Sequence, residues 1–250
     1  MKRFFSIFVL VLIAAHMVWA ESEAERIESA AIVMNEIMST PDKGIPEEIL
    51  NSAQCVAVVP SMLKGGFIVG GAHGKGVATC RTENGSWSAP APFAMSGGSV
   101  GLQIGVQGVD LIMVITNERG MQNLLSSKFK LGADVSVAAG PVGRHAEGAT
   151  DWKLRAEVLT YSRARGLFAG VSVNGAVIGQ DKDATRELFG RLVPFRTILT
   201  GAVATPTAGE PFINSVRKAT PKKDSGQAAP KDSTPPAQVP EKPAQKSPGI

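Results

Sequence analysis

Three sets of residues in this sequence have the types and spacing to do chemistry. The first centres on Ser99. Gly97-Gly98-Ser99-Val100-Gly101 fits G-x-S-x-G, the pattern that places a nucleophilic serine on a sharp strand-to-helix turn. A hydrolase built on it would take its acid from Asp110 or Asp134 and its base from His145. The surroundings oppose this reading, because β-type alternation starts directly after Ser99 and includes Gly101. The second set is basic. In a strand from 153 to 165, Lys153, Arg155, Glu157, Tyr161, Arg163 and Arg165 share one parity, with Leu159 their one apolar member. That pattern predicts one packed face and one wet, mostly basic face. Such a stripe is either ordinary solvated surface or an anion-binding one, since the guanidinium fork suits phosphate. With Lys64, Lys128, Lys130 and Arg144 it supplies the cation candidates, Arg163 and Arg165 being its own members. The third set is Cys55 and Cys80, the only cysteines, which form either a disulfide or two buried thiols.

Other chemistries fit poorly. Lys64 to Gly76 holds six glycines in thirteen residues, yet Val69 stands where a P-loop needs its first glycine and Gly76 where it needs a hydroxyl. His73 has no second ligand nearby, so it reads as a turn residue and no metal or cofactor is expected.

The elements that must position these residues are legible in part. Val100, Leu102, Ile104 and Val106 alternate with Gly101, Gln103, Gly105 and Gln107, a strand with one buried face. Its glycines mark close approach by another element. Leu111 to Ile115 reads as a strand buried on both faces, and Gln107-Gly108-Val109 between the two predicts an antiparallel hairpin. Glu23 to Met38 is an amphipathic helix, and Pro46-Glu47-Glu48 starts a short second one. Cys55 to Val59 is a strand ended by Pro60. Asn117 caps a helix through Leu125, Asn174-Gly175 is a hairpin turn, and Asp183 caps a closing helix that ends at Gly190. The fold class expected is α+β, with a glycine-rich, strongly curved antiparallel sheet or barrel covered by N-terminal and mid-chain helices.

Charge and composition divide the chain. Lys2-Arg3, an apolar run from Phe4 to Ala15 and Val18-Trp19-Ala20 make residues 1–20 a secretory signal, which implies export to a periplasm or beyond. Residues 21–205 hold 17 basic and 18 acidic side chains, a balance that argues against nucleic acid as a partner. From Pro206 the pattern is lost, and nine of the sixteen prolines fall in 206–250, read as a disordered, mildly basic tail.

Taken in order, GGSVGLQIGVQGVDLIMVI, LGADVSVAAGPVGR and LTYSRARGLFAGVSVNGAVI resemble the SYLF-domain family, over about residues 24–192. The resemblance implies a non-enzymatic domain that binds phosphoinositides or other anionic membrane lipids, and in the yeast branch actin. For an exported bacterial-type member it implies association with anionic phospholipid. The alternative is an envelope protein that contacts a partner through its tail.

Overall fold

The computed structural model describes residues 21–40, 44–66, 69–100, 105–142, 156–164, 167–170 and 173–221. Helix α1 (Glu23–Ser39) opens with a reciprocal cap: the Ser22 hydroxyl accepts the Glu25 N–H, and the Glu25 carboxylate accepts the Ser22 N–H. Helix α2 (Glu47–Asn51) follows Pro46 and buries Ile49 and Leu50. The remaining helices are α3 (Glu118–Leu125), α4 (Lys182–Phe189), α5 (Phe195–Leu199) and α6 (Glu210–Ala219).

The strands are β1 (Cys55–Gly66), β2 (Val69–Cys80), β3 (Ala91–Val100), β4 (Gly105–Ile115), β5 (Lys128–Lys130), β6 (Val137–Ala139), β7 (Val158–Ala164), β8 (Leu167–Gly170) and β9 (Val177–Gln180). Eight form a continuous path, β5-β9-β3-β2-β1-β4-β7-β6, and β8 pairs with the end of β7. Their sheet curls strongly into a half-barrel, giving the α+β class expected. Only β6 and β7 run parallel among the pairings described.

Part of the curl arises in β1. Pro60 has no N–H for the ladder, Ser61 takes a left-handed φ of 50°, and the registers to β2 and β4 both slip here. A bulge of this kind bends its strand and increases the twist. The displaced Ser61 N–H donates to Asp110 Oδ1 at 2.9 Å. The strand therefore runs on past the proline that was expected to end it.

The hairpin expected within 96–116 is not formed. Gln107 to Val109 continue β4, and β3 and β4 are separated by the β1–β2 pair. β3 lies between β2 and β9, and β4 lies between β1 and β7. Alternation specifies which face is buried, not which strand lies alongside.

Apolar residues cover both faces of the sheet. Cys55, Ala57, Val59, Phe93, Met113 and Ile115 pack with side chains of α3 and α5. Val56, Val58, Val77, Ile112, Val114, Leu159 and Tyr161 pack beneath α1, α2 and α6. Cys55 and Cys80 face each other across β1 and β2, fully buried, and are joined by a disulfide. Asn117 caps α3 by accepting the Gly120 N–H at 2.8 Å. The cap of α4 is Asp181, not Asp183: its Oδ1 accepts from Asp183 and Ala184 at 3.2 and 3.1 Å.

The tail begins later than composition suggested. Helix α6 buries Phe212, Ile213, Val216 and Ala219, and the Trp87 indole donates to Thr220 Oγ1 at 3.1 Å. Four apolar residues at helical spacing suffice to dock on α1, yet they vanish in an average taken over 45 residues.

Tyr161 offers a test of packing. It is fully buried, and its hydroxyl has no hydrogen-bond partner among the described residues. Burial pushes the phenol well above its usual range. Removing an unpaired buried hydroxyl relieves a desolvation cost of about 1–3 kcal/mol. Tyr161→Phe is therefore expected to leave denaturant stability unchanged or raise it; a loss above about 2 kcal/mol would reveal a partner for that hydroxyl.

Candidate functional site

The described part of the stripe predicted for 153–165 is largely covered. Within it Glu157, Leu159 and Tyr161 are buried, Leu159 and Tyr161 beneath the layer of α1 and α6. The other parity, Ala156, Val158 and Thr160, is buried as well. From 156 to 161 the chain lies inside a curled sheet with apolar layers on both sides, so neither parity there is left for solvent. Lys153, Arg155, Arg165, Arg144 and His145 lie outside the described residues.

Arg163 is a structural pin. Its Nε and Nη2 contact Asp110 Oδ2 at 2.7 and 2.6 Å, and Nη1 meets Glu36 of α1. Asp110 thus fastens the Ser61 bulge, β7 and α1 together. Asp110→Ala is expected to lower unfolding free energy by about 2 kcal/mol, because the half-buried Arg163 and the Ser61 N–H lose an acceptor. Urea titration checks it, and a loss within about 0.5 kcal/mol would mean the contacts are surface pairs.

These engagements also dismantle the hydrolase arrangement. Ser99 lies in β3 opposite Gly70, and the next described element is the strand β4 rather than a helix. Asp134 closes a tight turn by accepting the Lys130 N–H at 2.6 Å.

Lys128 and Lys130 are exposed on β5 at one end of the sheet, flanking buried Phe129. Lys64 is in β1, four strands away. The bulge decides where it points. Val59 and Met62 both face the α3 and α5 layer, and Lys64 shares Met62's parity. Arg163 shares the parity of Tyr161 and faces α1. The described candidates therefore do not converge on one patch.

Lys64 stands apart. It is half-buried, burial holds its ammonium below the usual lysine range, and it makes no ion pair among the described residues. Beside it, on the opposite parity, Leu63 is 55% exposed. Leu63 pairs with His73, whose Nδ1 lies 2.8 Å from Ser96 Oγ. Leu63 escaped the sequence reading because the strand was taken to stop at Pro60, and the bulge reverses the parity beyond it.

A groove of about 500 Å³ between the 82–89 turn and residues 200–205 is a poor rival. No lysine or arginine lines it, and the hydroxyls of Thr82, Ser86 and Thr200 are engaged internally. Among the described residues no His, Cys, Asp and Glu cluster could hold a metal ion.

A family match covers the later part of this framework. Residues 96–219, from the middle of β3 to the end of α6, match the family described as Ysc84, Las17-binding protein actin regulator. The chain carries a Ysc84-family domain. The three motifs that resemble the SYLF domain lie inside the match. The chain is 37% identical over 175 residues to Protein YSC84 of Saccharomyces cerevisiae, covering 69% of this chain and 37% of the relative. It is 34% identical over 194 residues to yeast LAS seventeen-binding protein 3, covering 76% and 42%. With SH3 domain-containing YSC84-like protein 1 of Rattus norvegicus it shares 32% identity over 205 residues, covering 81% and 60%. The chain thus spans between 37% and 60% of the length of these relatives. The Ysc84-family match ends at α6, in agreement with a folded domain that passes residue 206.

Proposed function

We propose that this domain associates, without catalysis, with the anionic headgroups of membrane phospholipids, and that Lys64 is a principal contact. One observation carries the reading: a half-buried ammonium, already partly stripped of water and lacking a carboxylate among the described residues. A phosphate would supply the missing counter-charge. Lys128 and Lys130, exposed and distant, would add long-range attraction only. The export read from residues 1–20 would bring the domain to an envelope membrane.

Co-sedimentation with vesicles tests this. Anionic vesicles are expected to bind the protein and neutral phosphatidylcholine vesicles to release it. One cation near a charged bilayer contributes about 1 kcal/mol, so Lys64→Ala should weaken binding about fivefold. Removing residues 222–250 should leave binding unchanged. Equal binding to both vesicle types would overturn the headgroup reading.

A protein partner is the second reading. The family description and the relatives' names refer to Las17 binding and actin regulation, and Leu63 would serve a protein surface. A pull-down that fails on Leu63→Ser while vesicle binding persists would favour it.

A further inference from the structure

The start of α1 is held by charges from three elements. From α1 come Glu23, 1% exposed, and Arg26, 6% exposed, in contact with each other, with Glu21 Oε2 at 3.4 Å from Arg26 Nε. From β2, Lys75 pairs with Asp181 Oδ2 at 2.8 Å. From α4, Glu187 accepts the Glu23 backbone N–H at 2.7 Å, so a carboxylate reaches directly across to the first turn of α1. Helix α6 also packs on α1, but its charges Glu210, Arg217 and Lys218 are exposed. Four carboxylates thus meet two cations, and Glu23 Oε1 is buried without a hydrogen-bond partner among the described residues.

The carboxylates have opposite tendencies. Burial pushes Asp181 upward, but Lys75 and the N–H groups of Ala184 and Asp183 together hold it below its usual range, so it stays ionised. Burial pushes Glu23 up to about 7, against the pull of Arg26 and with repulsion from Asp181 and Glu187. Glu23 therefore changes charge near neutrality.

We propose that Glu23, Asp181 and Glu187 form a protonation latch that clasps the start of α1 to α4 in mildly acidic solution and loosens it as the pH rises through neutrality. An unfolded glutamate titrates near 4.5, so the clasped state holds the extra proton between that value and about 7. The stabilisation is complete below the lower value and is lost as pH climbs through the upper. Opening the latch bares Ile27 and Ala30, both fully buried in the same helix. The latch thus converts a proton into exposure of apolar surface.

Amide exchange of residues 24–28, corrected for intrinsic rates, tests this on the whole chain. Protection is expected to fall by one to two orders of magnitude between about pH 5 and pH 8. Glu23→Gln carries the neutral form permanently and should keep acid-level protection at both values. Equal protection of the parent at both pH values, or a pH slope that persists in Glu23→Gln, overturns the latch. Should Glu23→Gln fail to fold, Glu187→Gln removes one repelling charge and retains an acceptor oxygen. It should flatten the slope, and an unchanged slope overturns the proposal equally.

Discussion

Gly76→Ala should lower the thermal midpoint of the domain by about 10 °C, a loss of at least about 3 kcal/mol. A Cβ at this position in β2 would sit 2.2 Å from the Val58 carbonyl oxygen, 2.9 Å from Val59 Cγ2 and 3.0 Å from Phe93 Cζ. The first of these is backbone, and no side-chain rotation moves it away. Val58 lies just before the Pro60–Ser61 bulge, where β1 folds over β2. The strand would have to open where the two registers slip. Gly108→Ala is the control, because a Cβ there meets nothing within 4 Å. That variant should melt at or slightly above the parent, since alanine restricts the unfolded chain. Circular dichroism melts of both decide the matter. A Gly76→Ala midpoint within about 2 °C of the parent would mean that β2 does not pass this close to β1.

Removing the Cys55–Cys80 bond should cost about 3 kcal/mol. The two residues are 25 apart in sequence, and a cross-link closing a loop of that length removes roughly this much freedom from the unfolded chain. Both cysteines are fully buried, so substitution also removes packed sulfur. The Cys55→Ala/Cys80→Ala double variant and the reduced parent, unfolded in urea, separate the two effects. The reduced parent should lose the cross-link contribution, and the double variant should lose that and a further packing increment. If the reduced and oxidised parents unfold at the same urea concentration, the bond contributes nothing to stability.

Local signals carried the elements well. Asn117 starts a helix and Gly190 stops one because caps depend on a few adjacent atoms. Asp181 caps α4 where Asp183 was expected, a shift of two residues between equally suitable side chains. Close approach was expected at Gly101 and Gly105, of which Gly101 lies outside the described residues. A close approach is seen at Gly97, where a Cβ would meet Ala176 Cα at 2.9 Å. The tightest such contact with a neighbouring strand's backbone, at Gly76, lies on β2, because crowding depends on which strand is adjacent.

The candidate site was legible as residue types and not as a place. Arg163 reads from sequence like any other cation near phosphate. Only the fold brings Asp110, 53 residues earlier, and Glu36 of α1 to its guanidinium. Lys64 reads the same way, yet it has no carboxylate among the described residues. The difference is long-range neutralisation, which a single chain position does not encode.

By itself the sequence determined the α+β class, the helix ends at Asn117 and Gly190, the burial of Leu111–Ile115 on both faces and the motifs of a Ysc84-family domain, each a matter of neighbours within a few residues. The tertiary structure alone decided that β1 and β2 lie between β3 and β4, that Glu157, Leu159 and Tyr161 of the expected wet face are buried, that α6 belongs to the domain, and on which faces the bulge leaves Lys64 and Leu63. Those outcomes depend on which surfaces meet when the sheet curls, and that is a property of the whole chain.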